Sequence, residues 1–215
     1  MRIIDNLDEM TETARGWLAG GSVGFVPLRR ALQAGHLTLI QAARQDCQIS
    51  VVSIVENPAP LAPAKDVVPG ASLARTHRNL PQELQQLGNA DVDVVFMPRL
   101  EDLYSPQFST YVTPTGPLVE GLEGASRPGY LREVATTITK LFQLVRPDVA
   151  YFGQNNAQHV ALIRRLVRDL SIDVKLQVLP TVRDTDGLAL SSRNQALTPE
   201  ANGCYLWEGR KISLK

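Results

Sequence analysis

The sequence predicts an α/β fold, a doubly wound parallel sheet, and three observations carry that prediction. Apolar runs rich in β-branched residues, such as ISVVSIV over Ile49–Val55, alternate along the chain with segments whose apolar residues return at helical spacing. These runs carry little polarity, as strands buried on both faces of a parallel sheet require. Each run also stops at a Pro, Gly or Asn, so its carboxyl end opens into a loop, and that is where such sheets bind ligands.

In chain order, Asp8–Ala19 places Met10, Ala14, Trp17 and Leu18 on one side and ends at Gly20-Gly21, which predicts an opening helix. Val23–Val26 reads as a strand that Pro27 stops, because proline lacks a ladder donor. From Ala31 onward Leu32, Leu39, Ile40 and Ala43 define an amphipathic helix. The strand Ile49–Val55 ends in Glu56-Asn57-Pro58, and the Pro-, Ala- and Gly-rich stretch 59–72 is expected to be a surface loop. A helix over Pro81–Leu87 and a strand over Val92–Phe96 follow.

Residues Pro106–Gly129 break the rhythm with several prolines and glycines around Thr110-Tyr111-Val112, which predicts a short hairpin or excursion. Arg132–Val145 is a helix with Val134, Ile138, Leu141, Phe142 and Val145 on one face, and Pro147 terminates it. Val149–Phe152 is a strand leading into Gly153-Gln154-Asn155-Asn156. Ala157–Leu170 is a helix with Val160, Ile163, Leu166, Val167 and Leu170 inward, and its arginines Arg164, Arg165 and Arg168 read as a solvated face. Val174–Leu179 is a strand and Pro180–Asn194 a polar loop.

Composition excludes several functions. The 22 basic and 22 acidic residues cancel and form no basic block, so nothing electrostatic calls for nucleic acid. Cys47 and Cys204 lie far apart without metal-ligand spacing, which argues against a zinc site or a disulfide framework. No apolar run approaches the ~20 residues of a membrane span, and the charged N-terminus lacks a signal-peptide core, so a cytoplasmic protein is expected.

The local chemistry centres on Ser22–Arg44, read as strand, loop and helix. The free N–H groups of a helix start donate to a phosphate, Gly35 would let it approach, and the His36 imidazole could donate to it. Alone, a glycine and histidine at a helix start are more often plain structure than a site.

The segments GFVP…AGH, VVSIVENP, LEGASRPG, KLF…YFG and PTVRDTDGLALSSRN, in this order over about residues 20–200, resemble the pantothenate synthetase (pantoate–β-alanine ligase) family. The resemblance implies a Rossmann-like domain of the nucleotidyltransferase superfamily over residues 1–200, with 201–215 as a short tail. Its C-terminal lid domain is expected to be absent or truncated. It also implies activation of a carboxylic acid by ATP with Mg2+, attack by an amine, and pairing as a homodimer. Carried over by position, Pro27, Gly35, His36, Gly153, Ser191, Ser192 and Arg193 would face the nucleotide, with His36, Ser191, Ser192 and Arg193 in catalytic roles. Asn57 and Arg127 would bind the substrate.

The sequence also departs from the family pattern. The leading histidine of the helix motif is Gln33, and the usual Pro-Thr-Met-Gly loop is Pro27-Leu28-Arg29-Arg30. The two glutamines that hold pantoate in the family are Pro60 and His159. The phosphate-facing lysine and the ribose-side aspartate are Asn155 and Asn156, and Tyr130, Leu131 and Glu133 replace His, Phe and Gly after the RPG turn. Two readings therefore stand at this stage. One is an adenylate-forming ligase, with an acid other than pantoate as an option and with Arg29, Arg30 and Gln33 partly compensating. The other is a nucleotide-binding relative that acts as a partner or regulatory subunit.

Overall fold

The computed structural model describes residues 1–17, 20–29, 31–55, 79–185 and 187–190. Its centre is one six-stranded sheet in the order β1-β4-β3-β2-β5-β6, with every adjacent pair parallel. The strands are β1 (Arg2–Ile4), β2 (Val23–Leu28), β3 (Ile49–Ile54), β4 (Val94–Phe96), β5 (Val149–Gly153) and β6 (Lys175–Leu179). The helices are α1 (Leu7–Trp17), α2 (Ala34–Asp46), α3 (Leu80–Asn89), α4 (Leu100–Leu103), α5 (Pro117–Glu120), α6 (Leu122–Ser126), α7 (Tyr130–Val145) and α8 (Ala157–Asp169). Strand order reverses between β2 and β5, which makes their carboxyl ends the topological switch point.

Alternation along the strands divides the core in two. Val23, Phe25, Val51 and Phe96 pack against Met10 of α1, Leu141 and Phe142 of α7, and Leu162 of α8. Val26, Val52, Val95 and Tyr151 pack on the opposite face against Leu39 and Ile40 of α2 and Leu87 of α3. Caps explain several boundaries. The Asn6 side-chain oxygen accepts the N–H groups of Asp8 and Glu9 at 2.9 and 3.0 Å, and Asn79 accepts that of Gln82 at 3.3 Å.

Some expectations need correcting. Strand β2 runs through Pro27 to Leu28 instead of stopping at Val26. Val23 accepts a bond from Asp148 on the β5 side, while Leu28 accepts one from Val55 on the β3 side, so alternate residues face opposite neighbours. The N–H that Pro27 lacks would therefore point toward β5, where the ladder has already ended at the Phe25–Ala150 pair. Helix α2 starts at Ala34, not Ala31. Gln33 is extended (φ −145°, ψ 166°) and gives no side-chain cap, and Leu32 packs on the core from the loop.

The expected hairpin within Pro106–Gly129 is two short helices, α5 and α6. The Val112 N–H is taken by Thr136 Oγ1 of α7 at 3.0 Å, and Thr110–Val112 pairs with no strand among the described residues. The polar loop after β6 contains an antiparallel bridge between Arg183 and Ala189. Leu170, expected inward, is 48% exposed just past the end of α8. The expected loop 59–72 and the tail lie outside the described residues.

Candidate functional site

Past Phe25 and Ala150, strands β2 and β5 are no longer paired, and their carboxyl ends, with Pro27 on β2, mark the switch-point crevice where sheets of this topology bind ligands. Helix α2 follows β2 and α8 follows β5, so both begin at this edge. Helix α7 ends just before β5, so its N-terminus lies there too, and Tyr130 accordingly contacts both Arg29 and His159. The positive ends of these three helix dipoles converge on the crevice.

Gly35 and His36 occupy the first turn of α2, where N–H groups have no preceding helical carbonyls; the N–H of His36 bonds the carbonyl of Gln33 at 2.8 Å. Among the described residues, a Cβ built on Gly35 would meet only the Val182 Cβ, 4.0 Å away. Gly153 ends β5 with no heavy atom of the described residues within 4 Å of a built Cβ. A helix start with such small residues at its edge fits a nucleotide's phosphates. Mg2+ that travels with those phosphates needs only one or two protein carboxylates, and no larger acidic or histidine cluster occurs among the described residues.

Of the other positions singled out in the sequence, Asn155 is exposed in the loop after β5. The Asn156 side chain caps α8 by accepting the His159 N–H at 3.2 Å. Gln33 contributes its backbone to the start of α2, and Glu133 is buried in the first turn of α7. Asn57, Pro60, Arg30, Ser191, Ser192 and Arg193 lie outside the described residues.

Opposite α2, the crevice wall is a charged cluster that the sequence did not reveal. Glu123, in α6, places one carboxylate oxygen 3.3 Å from the Arg127 guanidinium and the other 3.3 Å from Nε2 of His159. The Arg127 guanidinium also lies 3.6 Å from the centre of the Tyr130 ring, a cation–π contact, and the His159 ring is 5.3 Å from that of Tyr130. Arg29, just beyond β2, donates to the Tyr130 hydroxyl at 3.4 Å. Gln158 supports the cluster: its amide nitrogen donates to the carbonyls of Leu118 and Gly121, both at 2.9 Å, and its oxygen accepts the Glu123 N–H at 3.0 Å. The LEGASRPG segment and the Gln158-His159 pair were visible signals, but nothing in one dimension joined them.

A doubly wound parallel sheet with a glycine at a helix start on its switch point defines a Rossmann-like α/β protein. The family model described as pantoate-beta-alanine ligase matches residues 2–204. The chain belongs to that family. It is 44% identical over 201 residues to the pantothenate synthetase of Thermosipho africanus, covering 93% of this chain and 70% of that protein. It is 46% identical over 178 residues to pantothenate synthetase 1 of Bradyrhizobium diazoefficiens, covering 83% of this chain and 60% of that one.

Among solved structures, pantothenate synthetase from Thermus thermophilus superposes with a TM-score of 0.83 at 40% identity, over 96% of this chain and 71% of that chain. Pantoate-beta-alanine ligase from Francisella tularensis, complexed with beta-gamma ATP and beta-alanine, gives 0.80 at 34% identity, over 93% and 74%. No helix among the described residues is long and apolar enough to cross a membrane.

Proposed function

We propose that the chain is an ATP-dependent, adenylate-forming ligase of the pantoate–β-alanine type. A carboxylate of the acid attacks the α-phosphorus of ATP and displaces pyrophosphate; an amine then attacks the acyl carbon and displaces AMP, leaving an amide. The observation that supports this most is the match over residues 2–204 to an ATP-dependent ligase family, in a chain whose switch-point crevice keeps an open Gly35 beside His36. Adenylyl transfer concentrates negative charge on the phosphates, and fixed donors aimed at that charge lower its barrier. The first-turn amides of α2 and the imidazole of His36 would hold the phosphates, with Ser191, Ser192 and Arg193 added on resemblance. Asn57 and Arg127 would hold the acid. Mg2+ would neutralise phosphate charge as part of the MgATP complex. Residues 1–200 act as the catalytic-type domain in this reading, in a cytoplasmic homodimer.

A second reading, a nucleotide-binding relative that has given up the chemistry, draws support from the neutral Gln33, Asn155 and Asn156 and from the engagement of Asn156 in capping α8. Acid-dependent exchange of pyrophosphate into ATP separates the two. Exchange with pantoate or another small acid supports the ligase and names its substrate. Silence across an acid panel, with MgATP still bound by calorimetry, supports the second reading. Under the first reading Ser192→Ala and Arg193→Ala each weaken MgATP binding or turnover tenfold or more.

A further inference from the structure

His159 is the histidine of the charged wall. Its Nε2 lies 3.3 Å from one carboxylate oxygen of Glu123, whose other oxygen lies 3.3 Å from the Arg127 guanidinium. A carboxylate oxygen only accepts, so Nε2 carries a proton in the neutral ring and protonation adds the second proton at Nδ1. The side chain is 15% exposed, so water screens little of the charge it gains. Imidazole changes charge between about pH 5 and 8, whereas carboxylates and guanidinia hold theirs through that range. The fixed charges around His159 are Glu123 of α6, Arg127 just after it, Arg29 joined through Tyr130, Arg132 and Glu133 in the first turn of α7, and the exposed Glu120 of α5. Lys140, farther along α7, donates to the Leu103 carbonyl, and the charged residues of α8 itself begin at Arg164 on its exposed face. With His159 neutral, Arg127 and Glu123 balance each other. With His159 protonated, one carboxylate faces two cations and the trio gains a net positive charge. Tyr130 keeps Arg127 in place in both states, because the ring holds the guanidinium by its face at 3.6 Å and uses none of its N–H donors. Arg127 also borders a cleft of about 430 Å³ whose lining among the described residues includes Arg132 and no carboxylate.

We propose that His159 is a positioning residue that couples capture of the acid's carboxylate at Arg127 to uptake of a proton: the imidazolium draws on the Glu123 carboxylate and leaves Arg127 free to grip the anion. This rests on the adenylating reading, in which Arg127 holds the acid. The sign follows from the charges. Affinity for the anion is full while His159 is protonated and falls as pH rises through its pKa. By linkage, the bound acid raises that pKa by the same factor.

Calorimetric titration of the full chain with pantoate, with a non-hydrolysable ATP analogue present, reads the coupling between about pH 5.5 and pH 8. Over that range the wild type should lose about tenfold more affinity than His159→Gln, which keeps a donor for Glu123 but does not titrate. Any slope caused by His36 and His77 is common to both proteins and drops out of the comparison. The His159 Cε1–H resonance, followed by NMR, should titrate about one pH unit higher in the bound state, because a one-unit shift and a tenfold coupling are the same quantity. Glu123→Gln removes the charge that holds Arg127, so at about pH 8 it should bind pantoate more tightly than the wild type does. Far-UV circular dichroism checks that each variant is folded, and His159→Asn substitutes for the glutamine variant if that one is not. The proposal is overturned if the wild type and His159→Gln give parallel pH profiles, if the imidazole pKa does not move on binding, or if Glu123→Gln binds more weakly. Pyrophosphate exchange with pantoate alongside parallel profiles would remove the coupling and leave the adenylating reading standing. Absence of both exchange and pantoate binding would remove the two together.

Discussion

The side-chain oxygen of Gln158 accepts the backbone N–H of Glu123 at 3.0 Å, and through this bond helix α8 fixes the position of the carboxylate that Arg127 and His159 share. The same amide donates to the carbonyls of Leu118 and Gly121, so one buried side chain ties the turn between α5 and α6 to the core. Removing a buried group with several partners strands each of them, and Gln158→Ala should cost about 1–3 kcal/mol in urea denaturation. Gln158→Glu should be at least as damaging at neutral pH, because a carboxylate has no donor for the two carbonyls and adds repulsion toward Glu123. A glutamate variant as stable as the wild type would show that the donor bonds contribute little.

Asp93 predicts an acid limb to stability. Burial raises its pKa, but the N–H and hydroxyl of Ser50, at 2.8 and 2.7 Å, and the charge of Arg44 together outweigh that and hold it below the ordinary carboxylate value. A group with a depressed folded pKa stabilises the fold above its unfolded pKa, and that contribution fades as pH falls through the folded value. The window therefore lies below about pH 4. The carboxylate is 40% exposed, so after solvent screening the Arg44 pair itself should contribute under about 1 kcal/mol. Urea midpoints measured from pH 6 down to pH 3 should fall more steeply in the wild type than in Asp93→Asn. Parallel curves would show that Asp93 has no part in the limb.

A third prediction concerns Tyr151. Its hydroxyl is buried, donates to the Asp46 carboxylate at 3.0 Å and lies 3.6 Å from Sγ of Cys47; burial, with these acidic neighbours, raises its pKa. A raised folded pKa means stability that is full below the unfolded value of about 10 and lost as pH climbs above it. Tyr151→Phe should cost about 0.5–1.5 kcal/mol at pH 7 from the lost hydrogen bond. It should also flatten the decline in stability above pH 10, which thermal melts at pH 8 to 11 would register.

What the sequence revealed was local. The central strands, the helices with apolar faces, and the residues Gly35, His36 and Gly153 at element ends followed from spacing and punctuation within a few residues. The edge strand Arg2–Ile4 is too short for alternation to show and exists by pairing with β4. Pro27 looked like a stop because a proline rule ignores which side of the ladder a residue faces, and only the early end of the β2–β5 pairing resolves that. Arg29 and Tyr130 are 101 residues apart, and Glu123 meets His159 across two helices, so no periodicity could join them. Tertiary packing sets such contacts.

Two glycines on either side of the same strand–helix unit give the sharpest test of where structure ends and function begins. A Cβ on Gly24 would lie 3.1 Å from both the Ala43 Cβ and the Cys47 Sγ and 3.2 Å from the Ala43 carbonyl oxygen. These atoms belong to α2 and its C-cap, anchored in the core, so the helix would have to lift from β2. Gly24→Ala should therefore cost about 1–3 kcal/mol, the range for overpacking. At Gly35 the new methyl would have, among the described residues, only Val182 within 4 Å, and alanine is the better helix former, so stability should change by less than about 1 kcal/mol. If the phosphates of MgATP rest on the start of α2, that methyl occupies their approach, and calorimetry should show a loss of affinity of tenfold or more with an unchanged melting temperature. Wild-type affinity for MgATP in Gly35→Ala would place the phosphates elsewhere in the crevice. Equal loss of stability in both variants would mean that the start of α2 is packed where the structure leaves it open.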